Sequence, residues 1–184
     1  MKSFLIFIAV TISFHLNAQS IYLGLKTGMT QDEAKKEFKN NKESYTNIDL
    51  GNGFIWRLYQ QNFIYDNGGL VGVLFSPKGS ALGLSYQNTI SYLEFTRKFF
   101  TSKDYQLFYE PEYWNAPYNF KSKYGLLMIN PDSTTVIQLY PWIQTLNNST
   151  VFNAYLKLLN YNWFMKAYKQ ESEDVKQKQD NTGF

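Results

Sequence analysis

Residues 109–118 read YEPEYWNAPY, which sets Glu110 and Glu112 two positions apart beside Trp114. Two carboxylates next to an aromatic platform are the equipment of glycoside hydrolysis, one acting as acid and the other as base or nucleophile. The spacing counts against that chemistry. Side chains two apart on one extended segment point the same way at a Cα separation of about 7 Å, whereas glycosidase carboxylates flank the scissile bond from different elements. The plainer reading is a proline-rich loop carrying solvated acids, and no residue is assigned a catalytic role. The segment NIDLGNG, residues 47–53, places oxygen ligands at alternate positions in the manner of a calcium loop. Its twelfth position is Leu58, where an EF-hand needs a bidentate glutamate, so it reads as a glycine-rich hairpin turn.

The residue inventory excludes more than any motif. There is no cysteine, and the single histidine is His15. It falls in MKSFLIFIAVTISFHLNA, residues 1–18, where Lys2, an apolar run from Phe4 to Phe14 and the small Ala18 make a secretory signal peptide. As a helix that run spans roughly 16 Å at about 1.5 Å per residue, against a hydrocarbon core of roughly 30 Å, so it reads as an export tag rather than an anchor. The chain from Gln19 onward then has neither His nor Cys. That removes disulfides, Cys/His zinc sites, thiol catalysis and Ser-His-Asp catalysis, and no metal or cofactor is expected. No P-loop, G-x-G-x-x-G or G-x-S-x-G string occurs. Taking Lys2 from the 18 basic residues leaves 17 against 15 acidic ones, a balance that creates no field for nucleic acid or a membrane surface. The expected compartment is the periplasm or the exterior, where a chain without cysteines is stabilised by packing alone.

Two stretches echo one another. GLKTGMTQDEAKKEF at 24–38 returns as GSALGLSYQNTISYL at 79–93, with glycines, a large apolar residue and a hydroxyl in the same order. In the first, Thr30 and Glu33 have the spacing of a capping box, with Met29 and Ala34 as its hydrophobic staple. In the second, Ser85 is the cap of a longer helix ending near Thr101, whose apolar surface includes Ile90, Leu93, Phe95, Phe99 and Phe100. Each helix runs into a tyrosine-led extended stretch and then a tryptophan-bearing segment. A turn follows, DNGG at 66–69 and NPDS at 130–133, and then a strand stopped by proline, LVGVLFSP and TVIQLYP. Aligning those strands pairs Val73 with Ile137, Phe75 with Leu139 and Pro77 with Pro141. The expected fold class is α+β: two tandem α-β-β-β repeats, residues 24–77 and 79–141, forming an antiparallel sheet with helices packed on one face. A further strand over STVFNAYLKLL completes a single domain, 19–160, and 161–184 is expected to be a charged C-terminal helix or tail.

The G-M-T helix start with its acidic capping residue, the amphipathic helix and the strand ending LVGVLF resemble the units of the β-lactamase inhibitor protein fold. They are also similar to small envelope proteins of the SmpA/OmlA type. The resemblance covers residues 24–141 and implies a concave sheet used for binding, in the manner of an inhibitor or an assembly factor of the bacterial envelope. This chain departs from the second group in having no cysteine to carry a lipid, and from the first in having no disulfide.

Strand parity points to the same face by a separate route. Thr135, Ile137 and Leu139 share one side of their strand and Val136, Gln138 and Tyr140 the other, while Ile55, Arg57 and Tyr59 alternate with Phe54, Trp56 and Leu58. Arg57, Tyr59, Tyr124, Gln138 and Tyr140 are therefore expected on the sheet face away from the helices, with the composition of a protein-binding interface. The expected function is a non-enzymatic exported binding module with a protein partner. The alternative is a small-ligand or glycan carrier using its aromatic side chains, and a carboxylate-based hydrolase ranks third.

Overall fold

The computed structural model describes residues 19–40, 47–111, 125–146 and 149–181. A short hairpin, β1 (Ser20–Tyr22) and β2 (Leu25–Lys26), leads into α1 (Gln31–Asn40). Then come β3 (Asn47–Asp49), β4 (Ile55–Asp66), β5 (Gly69–Pro77), α2 (Tyr86–Thr101), β6 (Gln106–Tyr109), β7 (Leu126–Ile129), β8 (Thr135–Leu146), β9 (Ser149–Asn160) and α3 (Tyr161–Asn181). The fold is α+β. Seven strands form one sheet in the order β3-β4-β5-β9-β8-β7-β6, every neighbouring pair antiparallel, beside the two-stranded β1–β2 sheet.

Local chemistry starts the helices where the sequence places them. Thr30 N–H donates to Glu33 Oε2 at 2.8 Å while Glu33 N–H donates to Thr30 Oγ1 at 3.3 Å, closing the capping box. Those hydrogen bonds hold the Glu33 carboxyl below its ordinary pKa. Ser85 Oγ accepts from Asn88 N–H at 3.1 Å, the simpler cap of α2. The DNGG turn is a two-residue hairpin in which Asn67 and Gly68 both take positive φ, and Asp66 pairs with Gly69. The NIDLGNG segment is likewise a turn, with Asp49 Oδ1 accepting from Gly51 N–H at 2.8 Å.

The core lies between the sheet and the layer formed by α1, α2 and the β1–β2 hairpin. Trp56, Leu58, Val73, Phe75, Ile137, Leu139, Leu156 and Leu158 all point into it, meeting Ala34 and Phe38 of α1 and Tyr92, Leu93 and Phe100 of α2. The parity read from β4 and β8 is therefore the parity observed. A smaller apolar cluster lies on the opposite face, where Phe164 of α3 covers Val136, Leu127 and Leu159. The helices thus occupy both faces, not one, because the start of α3 is amphipathic rather than a solvated tail.

The order helix, three strands, helix, three strands is present, but its spatial arrangement is not that of two rotated copies. β5 and β8 both run antiparallel to β9, so they point the same way, and Val73 and Ile137 meet Leu158 from its two sides. The first run enters the sheet from the β3 edge and the second from the β6 edge. With α1 and α2 on the same face, the two runs have opposite hand, and no rotation brings one onto the other. β9, which follows both runs in the chain, is the strand that joins them. β8 also continues past Pro141 to Leu146 instead of stopping there. At Pro141 it has β9 on one side and no described strand on the other, an edge position where a missing N–H removes no ladder bond.

Candidate functional site

The face of the sheet turned away from α1 and α2 divides in two. Its upper part lies under α3. Its lower part, from Lys157 and Gln138 toward the β8–β9 hairpin, is left open by the described residues. Arg57 and Tyr59 reach this face from β4, with the Arg57 guanidinium 5.4 Å from the centre of the Tyr59 ring. Arg57 Nε is buried without a hydrogen-bond acceptor among the described residues, so an aromatic face, not a carboxylate, holds this cation. Tyr140 lies opposite Tyr155 across the β8–β9 ladder, with ring centres 5.5 Å apart. The Lys157 ammonium stands 5.0 Å from the centre of the Tyr140 ring. Burial, reinforced by Tyr155, pushes the Tyr140 phenol up to about 12, and burial alone pulls the Lys157 ammonium below its usual range.

Four of the five residues singled out by sequence lie on this face. Tyr124 lies outside the described residues. Gln138 is on the expected side but only 8% exposed, because it pairs with Lys157 at the border of the part covered by α3. Tyr140 is half-buried. Glu110 is engaged by Arg97 at 2.6 and 3.4 Å, and Glu112 and Trp114 lie outside the described residues.

Where β8 and β9 run on beyond the end of β5, the face sinks into an open groove of about 630 Å³. One wall is a bulge in β4: Leu58 pairs with Phe75 and Phe63 with Val73, so Tyr59–Asn62 oppose a single residue of β5 and stand out from the ladder. The other wall is the segment from Pro77 to Gly83. Leu84 pairs with Phe152 of β9 there, and Gly83 at φ +89° lies so close that a Cβ would run into the Val151 side chain. The floor comes from alternate positions of the long hairpin: Trp142 and Gln144 of β8, Asn153 and Tyr155 of β9. Tyr59 and Trp142 are each 36% exposed. Asn153, 8% exposed, accepts from Ala154 N–H through its Oδ1 at 2.9 Å, and its Nδ2 donates to no described residue. No Asp, Glu, Lys or Arg is among the described residues lining the groove.

Trp142, Gln144, Asn153, Tyr155 and Lys157 were not singled out by sequence. The signal was available. Trp142 and Gln144 continue the parity of Gln138 and Tyr140, and reading Pro141 as a stop hid them. Among the described residues no helix is long and apolar enough to cross a membrane. No family model matches this chain, and neither a curated protein nor a solved structure matches it.

Proposed function

We propose that the chain is a non-enzymatic, exported binding module whose working surface is the open lower face of the sheet. The observation that carries this reading is the concentration of Arg57, Tyr59, Tyr140, Trp142, Tyr155 and Lys157 on one face, with neither cation ion-paired to a described residue. Arginine, tyrosine and tryptophan are the side chains that anchor interfaces. Two cations held on aromatic rings suit a protein partner that brings acidic groups. The resemblance to the β-lactamase inhibitor protein fold and the SmpA/OmlA proteins supports a binding role by analogy only. Against the hydrolase reading, the Glu110 carboxylate is held by Arg97.

The test is comparative capture from an envelope extract with the wild-type protein, Arg57→Ala and Lys157→Met. A species held by the wild type and lost from both variants, with affinity falling by about 1–4 kcal/mol each, is the expected result. Thermal midpoints are the control. Methionine keeps the packing against Tyr140 and removes a charge that burial disfavours, so Lys157→Met melts no lower than the wild type. Equal retention by all three proteins moves the working surface elsewhere.

A second reading, the small-ligand or glycan carrier, is favoured by one observation: no charged residue is among the described residues lining the groove in this face, and rings and carboxamides are.

A further inference from the structure

We infer that the groove at the β8–β9 hairpin is a binding site for a neutral oligosaccharide, held by stacking on Tyr59 and Trp142 and by hydrogen bonds to Gln61, Asn62, Gln144 and Asn153. The inference rests on the open face being the working surface and commits this part of it to one class of ligand.

The argument is one of chemical matching. A phosphate, nucleotide or carboxylate ligand needs cations, and no charged side chain is among the described residues lining the groove. A lipid or other apolar ligand needs an enclosed, mostly apolar cavity, whereas this groove is open and half of its lining is polar. Four carboxamides line it, Gln61 and Asn62 on the β4 wall and Gln144 and Asn153 on the floor, and a carboxamide carries both donors and an acceptor. A hydroxyl group also both donates and accepts, so adjacent hydroxyls on a sugar ring satisfy a carboxamide that a purely donating or accepting ligand would leave half-paired. Asn153 is already oriented for this, with Oδ1 fixed on the Ala154 N–H and Nδ2 without a described acceptor. The rings supply the remaining element. Tyr59 in the β4 wall and Trp142 on the floor are each partly exposed, and Trp142 is set at 72° against Tyr155, 6.2 Å between centres. The C–H face of a pyranose fits an aromatic face, with weak C–H contacts adding to the burial. The volume falls inside the roughly 300–1,000 Å³ of ordinary ligand sites, room for a short oligomer rather than a single sugar.

The experiment is a fluorescence and calorimetric titration of the purified protein with cellotetraose, chitotetraose and maltotetraose, alongside Trp142→Ala and Gln144→Ala. The expected result is that at least one tetrasaccharide shifts the tryptophan emission and binds with an affinity that does not change with salt. Trp142→Ala weakens that binding about tenfold or more and Gln144→Ala several-fold, both at wild-type melting temperatures. Absence of binding by all three tetrasaccharides at millimolar concentration overturns the inference, as does binding that survives both groove substitutions. The broader reading fails separately. An extract protein lost with Arg57→Ala, without saccharide binding, removes the saccharide and keeps the open face as the working surface.

Discussion

Trp56, fully buried, donates its indole N–H to Thr96 Oγ1 of α2 at 2.7 Å, and the Thr96 hydroxyl donates in turn to the Tyr92 carbonyl at 2.5 Å. Tyr92 completes the brace. Its hydroxyl donates to the Ile55 carbonyl at 3.1 Å and accepts from the Ile55 N–H at 3.3 Å, and its ring lies 5.0 Å from that of Trp56. α2 is thus pinned to β4 at the two residues that precede Arg57. Replacing Thr96 by valine keeps the shape and removes the acceptor, leaving an indole N–H buried with no partner. That costs about 1–3 kcal/mol, of which the added methyl recovers up to about 0.8 kcal/mol. The carbonyl of Tyr92 loses little, since it keeps its helical hydrogen bond. The net cost is then about 0.2–3 kcal/mol, and at about 2–4 °C per kcal/mol for a chain of this size the thermal midpoint falls by up to about 12 °C. The same substitution in a Trp56→Phe background costs nothing or stabilises, because no indole is left unpaired. Urea and thermal unfolding of the four proteins give the coupling energy directly. Thr96→Val costing the same in both backgrounds refutes the account of the brace. Captured partner and saccharide affinities are expected to stay at wild-type values, since the brace lies on the other side of the sheet.

Two further expectations concern pH and export. Burial raises the phenols of Tyr65, Tyr92 and Tyr105 above 10.0, as it does Tyr140 to about 12, so the fold prefers them protonated. Their contribution is intact below the unfolded tyrosine value and is lost as pH climbs from about 10 toward 12, so melting temperature falls across that window while tyrosinate absorbance lags behind a free-tyrosine control; a flat profile would sink this. The exported protein is expected to begin at Gln19, whose Oε1 accepts from Asn160 Nδ2 at 2.9 Å, and intact mass decides it: retention of residues 1–18 would argue for an anchor.

What the sequence disclosed was what short-range chemistry controls. The capping box of Thr30 and Glu33 and the cap of Ser85 need only three residues of context, and both formed as expected. Parity within a strand is equally local, which is why Trp56 and Arg57 fell on the expected sides. The opposite hand of the two runs was not legible, because it depends on which strand lies beside which, and STVFNAYLKLL carries no mark that it will sit between β5 and β8. The helix over residues 161–181 was partly hidden for a different reason. Its anchors, Phe164 and Tyr168, straddle the point where the charged composition begins, and the composition dominated the reading. The polar run Tyr59–Asn62 did interrupt the alternation of β4, a signal of a bulge that was passed over.

The groove follows from the same topology that joins the two runs. β9 must be long enough to pair with β8 along twelve residues, from Ser149 to Asn160, yet β5 meets it only from Gly72 to Phe75. The unmatched part of the β8–β9 hairpin therefore projects past β5 with one edge open, and Leu84 closes only one point of that edge. A two-stranded projection exposes both faces, and no helix of the described residues covers the lower one. On the side facing the core, the segment before α2 and the Tyr86 ring, 5.3 Å from that of Phe152, provide cover. On the other side no described residues form such a layer over Trp142, Gln144, Asn153 and Tyr155, and the residues there are amides and partly exposed rings instead of the leucines found at Leu156 and Leu158. An aromatic surface left wet in this way loses hydrophobic stabilisation unless something else covers it, and two flanking walls, the β4 bulge and the Pro77–Gly83 segment, confine what can. Strand-length mismatch is what leaves this face of the hairpin without β5 beside it.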